Sequence, residues 1–501
     1  MTKPLFHLID FGNEAGDDVD PAELSTYFVE QELFVSMLDH KQKLSIAVAK
    51  KGLGKSALIQ WMSFKVAEKH PEALIVKCRG SDITRAQFNL KSNLESPNDH
   101  IRDWMIRLCA IANRRIAREL NVALTDDKMT LIETAELDGF KQKNLVSSLT
   151  SRFTKLFGEM QPEPSKAANE VELLKRVQSR DLWIMIDDLD ATFQNTPAEC
   201  LSISTFFSAC RYLMQDVKGV AIRVTMRANV WSTIRRYDES LDKLEQYVHE
   251  IKWAESDFRR LLYRRIKSQL DELGMRYPYI DNKWSDEKKE QKFIELVFIP
   301  TAEWAERDIP IYRLIYTLSY HRPRWAIQLC KLMQKDAITS TDTLLTKGHV
   351  EAVWGEYGLK RIADLVAEHK HQCKQIEELI NAFRGAERLM TRDQLIAWIK
   401  NHITNHLSPF IDGVQTTSPV VVAHLLYEIG FIIARSEEHG GGYEHYSFEL
   451  MPDFLSSRTN DDFGMSWEIH PCYREALDIV KLNKAKREKM IKARSIARNR
   501  N

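Results

Sequence analysis

The chain has 501 residues, of which 44% are hydrophobic and 28% are charged, which is the composition of a globular protein long enough for two to four domains. Its 71 basic and 71 acidic residues cancel to a formal net charge of zero, which excludes an attraction of the whole molecule to nucleic acid or to an anionic membrane. The seven cysteines form no C-x-x-C pair and the histidines show no ligand spacing, so buried free thiols and no structural zinc are expected.

The first 40 residues are predicted to form an irregular acidic arm over residues 1–20 and an amphipathic helix from Pro21 to Leu38. The chain does not begin with a basic and apolar leader, so no signal peptide is expected. The most apolar window, residues 419–434, is too short and too polar to cross a bilayer. A cytoplasmic protein without a membrane partner is therefore expected.

A strand, a glycine-containing turn and a helix follow one another over residues 44–59. The apolar run from Leu44 to Ala49 predicts a buried strand, and the helix is predicted to begin at Ser56. The turn matches the P-loop pattern G-x-x-x-x-G-K-[ST], with Ala49 in the place of the first glycine. The residues that are predicted to cradle the phosphates of a nucleotide are Lys50, Lys51, Gly52, Leu53, Gly54, Lys55, Ser56 and Ala57.

Within this loop, two side chains have predicted chemical roles. Lys55 is expected to reach the β- and γ-phosphates of ATP, and the Ser56 hydroxyl is expected to bind Mg²⁺. Without a nucleotide, Lys55 has little reason to be buried. An ordinary glycine-rich turn is the weaker interpretation, because the flanking strand and helix are those that a P-loop requires.

Acidic residues follow the third predicted strand. A strand over residues 73–78 and a mostly helical insertion over about residues 85–180 lead to the run from Leu182 to Ile186, which ends in Asp187, Asp188 and Asp190. In an open α/β sheet the carboxyl ends of the strands face the ligand. Asp187 is therefore predicted to hold Mg²⁺ and Asp188 to act as the general base, with Asp190 as the alternative base.

Arginines that could contact the nucleotide lie at the end of one predicted strand and at the start of one predicted helix. The predicted strand over residues 219–226 ends at Arg227, which either senses the γ-phosphate or lies on the surface. A last short strand is predicted at residues 249–251. In a helical lid over residues 258–345, Arg322 and Arg324 flank Pro323 at a helix start and are predicted to contact the nucleotide.

The C-terminal part of the chain has a different pattern. Predicted helices over 376–383, 392–403 and 418–429 precede two strands that three consecutive glycines join at residues 440–442, which indicates a winged helix. The tail holds nine basic residues and one acid over residues 481–501, a local charge of 9 − 1 = +8. Such a tail either binds nucleic acid or serves solubility and partner docking.

These motifs resemble those of the additional-strand P-loop ATPases, the AAA+/STAND group. Bacterial standalone ATPases found beside anti-phage defence genes have the same K-G-x-G-K-S-A loop, the D-D-L-D of residues 187–190 and the R-P-R of residues 322–324. The resemblance covers roughly residues 24–475. It implies an α/β P-loop NTPase core with a parallel sheet in the order 5-1-4-3-2, a helical lid and a C-terminal winged-helix-like α+β domain.

The implied domains are residues 1–40, 41–257, 258–345, 346–475 and 476–501. The resemblance implies that Arg227 lies between the P-loop and Asp187. Asp188 stands where a glutamate is usual, and its shorter side chain makes slow hydrolysis the expectation.

Three functions fit this sequence. The first is an ATP-hydrolysing switch that requires Mg²⁺, forms a homo-oligomer and controls a separate effector protein in bacterial anti-phage defence. The second is a DNA-binding initiator or remodelling ATPase that uses the winged helix and the basic tail. The third, a kinase or other phosphotransferase, lacks an acceptor-binding signature in the sequence.

Overall fold

The computed structural model describes residues 4–85, 96–101, 103–105, 107, 108, 111, 181–216, 219–276, 280, 281, 283–305, 307–437, 443–456, 462 and 464–479. The chain divides into a core unit, Asn13–Ser268, and a C-terminal unit that contains Met1–Gly12 and Gln269–Asn501. Most of the predicted insertion and the whole basic tail over 481–501 lie outside the described residues. The finer predicted domain boundaries stay predictions.

A five-stranded parallel sheet forms the centre of the core unit. Its strands lie in the order β2-β3-β4-β1-β5, which confirms the predicted order 5-1-4-3-2. The strands are β1 (Leu44–Ala49), β2 (Leu74–Arg79), β3 (Leu182–Asp187), β4 (Val220–Arg227) and β5 (Val248–Glu250). Every residue of β1 and β3 is buried, as expected for parallel strands that helices cover on both faces.

Seven α-helices are assigned to the described parts of the core unit, the last of which crosses the boundary between the units. They are α1 (Pro21–Tyr27), α2 (Glu32–Ser36), α3 (Lys55–Lys69), α4 (Gly80–Arg85), α5 (Pro197–Asp216), α6 (Ala228–Tyr237) and α7 (Glu255–Glu272). In addition, the described residues between 97 and 111 are helical. Among these, Ile101, Trp104 and Leu108 are buried in the core.

The two faces of the sheet are distinguished by the alternation of side chains along each strand. Ile184, Ile186 and Val224 belong to the hydrophobic cluster that includes α5 and α6. Trp183 and Met185 belong to the other cluster, which includes residues of α1, α2 and α3. Asp187 follows Trp183 and Met185 at two-residue spacing, and Thr225 lies two such steps after Ala221 of this cluster. Both residues therefore lie on the sheet face that α3 covers, and α3 is the helix that begins at the P-loop.

The predicted helix from Pro21 to Leu38 is wrong in one respect, because two short helices, α1 and α2, replace it. The chain is extended at Phe28 and Gln31 between them. Phe28 stacks on Trp61 of α3 with ring centroids 4.7 Å apart, and its carbonyl accepts a hydrogen bond from Arg264 of α7 at 2.6 Å. These tertiary contacts outweigh the helical pattern.

A buried arginine fixes the segment that leads into β1. Arg223 in the middle of β4 donates to the carbonyls of Met37, Asp39 and Gln42 at 2.6–2.8 Å. Its guanidinium lies 4.8 Å from the ring centroid of Trp183. Burial lowers the pKa of Arg223 to about 9. The three carbonyls compensate for the desolvation of this charge.

The C-terminal unit contains a second set of helices. They are α8 (Asp286–Ile294), α9 (Ile311–Leu318), α10 (Pro323–Ala337), α11 (Lys347–His369), α12 (Ile376–Asn381), α13 (Arg392–Ile399) and α14 (Pro419–Glu428). The predicted helical lid also holds an antiparallel hairpin of β6 (Thr301–Trp304) and β7 (Arg307–Pro310). The lid is therefore mainly helical, and the hairpin is a feature that the sequence did not indicate.

A four-stranded antiparallel sheet follows α12 and completes the winged-helix-like part. Its order is β12-β11-β13-β8. These strands are β8 (Leu389–Thr391), β11 (Ile432–Glu437), β12 (Tyr443–Tyr446) and β13 (Ser466–Ile469), and a separate short hairpin is formed by β9 (Phe410–Ile411) and β10 (Val414–Gln415). The predicted β11–β12 pairing is confirmed.

The sequence did not indicate β13, because a charged residue lies in its interior. Glu468 is fully buried and accepts bonds from Arg388 at 2.7 Å, His445 at 2.8 Å and Arg435 at 3.2 Å. Although burial opposes ionisation, these groups and Arg474 hold the pKa of the Glu468 carboxyl well below its usual range.

The predicted acidic arm is partly packed rather than irregular. Phe6, Ile9 and Phe11 are buried, and the Gln334 side chain of α10 donates to the carbonyl of Ile9 at 2.7 Å. The arm's apolar residues therefore form part of the C-terminal unit's packing. All six described cysteines are buried and free. Within the described ranges, no helix combines the length and apolar composition that a membrane span requires.

Candidate functional site

The P-loop lies at the carboxyl edge of the parallel sheet. β1 ends at Ala49 and α3 begins at Lys55. Gly52 and Gly54 have φ angles of 84° and 97°, in the region that favours glycine, and this explains why both turn positions are glycine. The loop therefore presents the N-terminus of α3, with its partial positive charge, at the edge where parallel sheets bind ligands.

Lys55 is buried, contrary to the expectation, with 7% of its surface exposed. Its ammonium donates hydrogen bonds to the carbonyls of Ala49 at 3.2 Å and Lys50 at 3.3 Å. These carbonyls lie where the chain leaves β1, and they partly replace the water that the charge has lost. The ammonium is thus held at the base of the P-loop.

Asp187 ends β3 and is 8% exposed. Thr225 of the neighbouring strand β4 donates a hydrogen bond from its hydroxyl to the Asp187 carboxylate at 2.5 Å. The Thr225 oxygen also accepts the backbone N–H of Asp188 at 3.3 Å. Thr225 therefore orients both of the acidic residues that were predicted to act on the nucleotide.

Asp188 has an unusual backbone conformation and an altered acidity. Its φ of 48° is left-handed, which aspartate tolerates better than most residues. The surrounding protein desolvates the Asp188 carboxyl, and this desolvation together with the charges of Asp187 and Asp190 raises its pKa, while Lys55 acts in the opposite direction. A raised pKa makes a carboxylate a stronger base.

Arg227 is bound to Asp190, whose carboxylate is buried. The Arg227 backbone N–H donates to both Asp190 carboxylate oxygens at 3.2 Å. Its guanidinium donates to the Asp190 carboxylate and carbonyl. The sheet places Arg227 beside Ala49, as expected, and Asp190 determines its orientation. A phosphate-sensing role for Arg227 stays a prediction. The side chain is 17% exposed, so the alternative, a surface arginine at a strand end, stays a prediction as well.

The predicted nucleotide contacts Arg322 and Arg324 belong to the C-terminal unit. Arg322 precedes α10, as predicted, but its guanidinium is buried and pairs with Glu368 of α11 at 2.7 Å. It also lies 4.3 Å from the ring centroid of Trp325. These contacts give Arg322 a structural role within its own unit. Arg324 is half-buried, and its contact with a nucleotide stays a prediction.

The residues at the sheet edge fit a magnesium ion that arrives with a nucleotide. Mg²⁺ binds one or two carboxylates and substrate phosphates and keeps several waters. Asp187 and the Ser56 hydroxyl supply oxygen ligands of this kind. Across the described part of the chain, no three His, Cys, Asp or Glu side chains are grouped to hold a metal by themselves. This donor set suits a shared metal–nucleotide site.

The sequence did not predict that Thr225 bonds to Asp187 or that Asp190 bonds to Arg227. The position of Thr225 could have been predicted, since it lies two residues before Arg227 on the same strand. Residues two apart on a strand lie on the same face of the sheet. Asp190 was considered only as an alternative base. Its contact with Arg227 depends on the adjacency of β3 and β4.

We expect Thr225→Val to lower the affinity for Mg²⁺ or the rate of ATP hydrolysis by about 10- to 100-fold, as for other residues that orient a metal ligand. Valine keeps the shape of threonine but cannot donate to Asp187. The measurement is phosphate release titrated with Mg²⁺, and Thr225→Ser, which keeps the hydroxyl, is the control. Equal Mg²⁺ dependence in the valine variant and the wild type would contradict this role.

Comparisons with known proteins give only distant structural likeness. No protein-family profile and no curated protein sequence matches the chain. The ORC2 protein of Aeropyrum pernix in ADPNP–ADP complexes is 11% identical, with 91% of this chain and 89% of that chain covered and a TM-score of 0.39. Cdc6p of Pyrobaculum aerophilum is also 11% identical, with 95% and 98% covered and a TM-score of 0.29. At these TM-scores the likeness carries no argument, so the functional conclusion rests on the site.

Proposed function

We propose that this protein is a Mg²⁺-dependent ATPase that acts as a regulatory switch. The observation that carries the proposal is the meeting of the P-loop lysine with the acidic end of β3. The Lys55 ammonium donates to the carbonyl of Ala49, the β1 residue that pairs with Arg227 of β4. The Arg227 backbone N–H donates in turn to Asp190, two residues after Asp188. Phosphate binding and water activation thus have their residues at one point of the sheet edge.

Different residues bind the phosphates of ATP, accept the proton of water and hold magnesium. The backbone N–H groups of the P-loop and the Lys55 ammonium bind the phosphates and offset their charge. Asp188 accepts a proton from the attacking water. At the same time the water oxygen forms a bond to the γ-phosphorus, and the bond between the γ-phosphorus and the oxygen of ADP breaks. Magnesium, held by Asp187 and Ser56, would neutralise charge on the phosphates.

The regulatory part of the proposal rests on the resemblance to standalone ATPases of defence gene clusters. In this proposal ATP drives homo-oligomerisation, and the oligomer controls a separate effector protein in bacterial anti-phage defence. The shorter Asp188 side chain supports slow turnover, which suits a switch whose state must persist. A slow hydrolase holds its ATP form long enough to engage a partner.

Two measurements test this function. Phosphate release from ATP should depend on Mg²⁺ and stop on chelation with EDTA. Size-exclusion chromatography with light scattering should show that ATP shifts the wild-type chain to one defined oligomer in the absence of DNA. An absence of phosphate release contradicts the proposed ATPase, whereas hydrolysis without any change in mass contradicts only the oligomeric switch.

The second candidate function, an initiator or remodelling ATPase on DNA, is favoured by the charge of the tail. The winged-helix-like part supports it less. The helix before its hairpin, α14, would be the one to enter the major groove, yet Pro419–Glu428 contains no Lys, Arg, Asn or Gln. Those are the side chains that read base edges most often. Nucleic-acid binding would therefore depend on the basic tail.

Deletion of residues 481–501 tests that candidate. If the tail binds nucleic acid, the deletion should flatten the salt dependence of DNA and RNA affinity, because fewer counterions are released. Basal ATPase activity should be unchanged. Fluorescence anisotropy across a salt titration is the measurement. Identical slopes for the truncated and full chains would assign the tail to solubility or partner docking.

A further inference from the structure

The P-loop is contacted by a tryptophan from the opposite end of the core unit's sequence. Trp253 follows β5 and precedes α7, and it is half-buried. Its indole N–H donates a hydrogen bond to the carbonyl of Leu53, in the middle of the P-loop, at 3.0 Å. The Leu53 and Trp253 side chains both pack against the hydrophobic cluster on the α3 face of the sheet. This bond therefore joins two segments that are each anchored on the core.

The bond determines the orientation of one peptide unit. The described backbone contains no cis peptide bond, so the Leu53 carbonyl and the Gly54 N–H point in opposite directions across a planar peptide. When Trp253 holds the carbonyl on its own side, the Gly54 N–H is turned to the other side. Gly54 has a φ of 97° and no atom within 4 Å of an added Cβ, and its own carbonyl accepts the backbone N–H of Leu58 at 2.9 Å.

We propose that Trp253 is a positioning residue of the phosphate site, which keeps the Gly54 N–H directed toward a bound phosphate. This inference rests on the proposed nucleotide function. Preorganised backbone donors bind an anion without the cost of ordering a flexible glycine loop. Trp253 acts through the backbone, so it favours ATP and ADP alike, and it contributes nothing to recognition of the adenosine moiety.

The variant Trp253→Phe removes the N–H donor and keeps an aromatic ring in the cluster. We expect the Kd for ATP and the Kd for ADP, measured by calorimetry on the full chain, to rise by the same factor of about three to ten, the effect of one hydrogen bond. The KM for ATP should rise while kcat changes little, because the bond acts equally on bound substrate and transition state.

The chain offers a matched control in Trp354. This residue is also half-buried, and its indole N–H donates to the Pro471 carbonyl at 3.0 Å, within the C-terminal unit. Trp354→Phe loses the same kind of bond and should bind both nucleotides with wild-type affinity. Equal affinities in Trp253→Phe and the wild type overturn the inference. A wild-type chain that binds neither nucleotide contradicts the proposed function itself.

Hydrogen exchange on the wild-type chain tests the same inference if Trp253→Phe does not fold. If the hydrogen bond from Trp253 to Leu53 couples the two segments, ADP should protect peptides over residues 50–58 and 250–256 together. Protection that is confined to residues 50–58 overturns the inference, because the turn after β5 would then be independent of the occupied loop.

Discussion

Lys55→Ala is expected to abolish measurable ATP binding while the protein stays folded. The ammonium lies at the base of the P-loop, held by the carbonyls of Ala49 and Lys50, where it would meet the β- and γ-phosphates. Alanine removes the positive charge that offsets the phosphates. Calorimetry with ATP in the presence of Mg²⁺ measures the loss.

The stability of this variant needs its own measurement, because Lys55 is buried. Two carbonyls lose a donor, so a decrease of about 1–2 kcal/mol in the free energy of unfolding is expected. Lys65→Ala is the matched control, since Lys65 lies in the same helix and pairs with Glu68 at the surface. If Lys55→Ala binds ATP as tightly as Lys65→Ala does, phosphates do not bind at this loop.

Asp188→Asn is expected to bind Mg²⁺ and ATP but to release phosphate about 10²–10⁴-fold more slowly in a single turnover, the usual contribution of a positioned base. An amide keeps the shape of the carboxylate and cannot accept the proton of the attacking water. Asp187→Asn should instead lower the affinity for Mg²⁺, so that hydrolysis needs a higher Mg²⁺ concentration, because Asp187 is the predicted metal ligand. The two neighbouring substitutions therefore have separable effects.

The pH dependence gives a second test of Asp188. A base must be deprotonated, and the pKa of Asp188 is raised by desolvation, Asp187 and Asp190. The hydrolysis rate should fall on acidification through this raised pKa, at a higher pH than for an ordinary aspartate, and Asp188→Asn should lack that limb of the profile. Asp181→Asn, just before β3, is the control. Unchanged phosphate release in Asp188→Asn would transfer the role of base to Asp190.

The local pattern of the sequence was sufficient to predict the five strands of the parallel sheet and the acidic residues at the end of β3. β1 was predicted with its observed bounds, because six consecutive apolar or small residues before a glycine turn leave few alternatives to a buried strand. Asp187 and Asp188 were placed at the carboxyl end of β3 for the same reason. Short strands with a charged interior residue, such as β13, have no comparable pattern.

By itself, the sequence determined which residues are the candidates for binding phosphate and metal, since the P-loop spacing and the acidic strand end depend only on near neighbours in the chain. The tertiary structure decided how those residues are held. Thr225 bonds to Asp187 and Arg227 to Asp190, in pairs 38 and 37 positions apart, and Trp253 bonds to Leu53 across 200 positions. Such bonds depend on strand order and register, which arise only when distant segments bury their apolar faces together. No local pattern of residues specifies them.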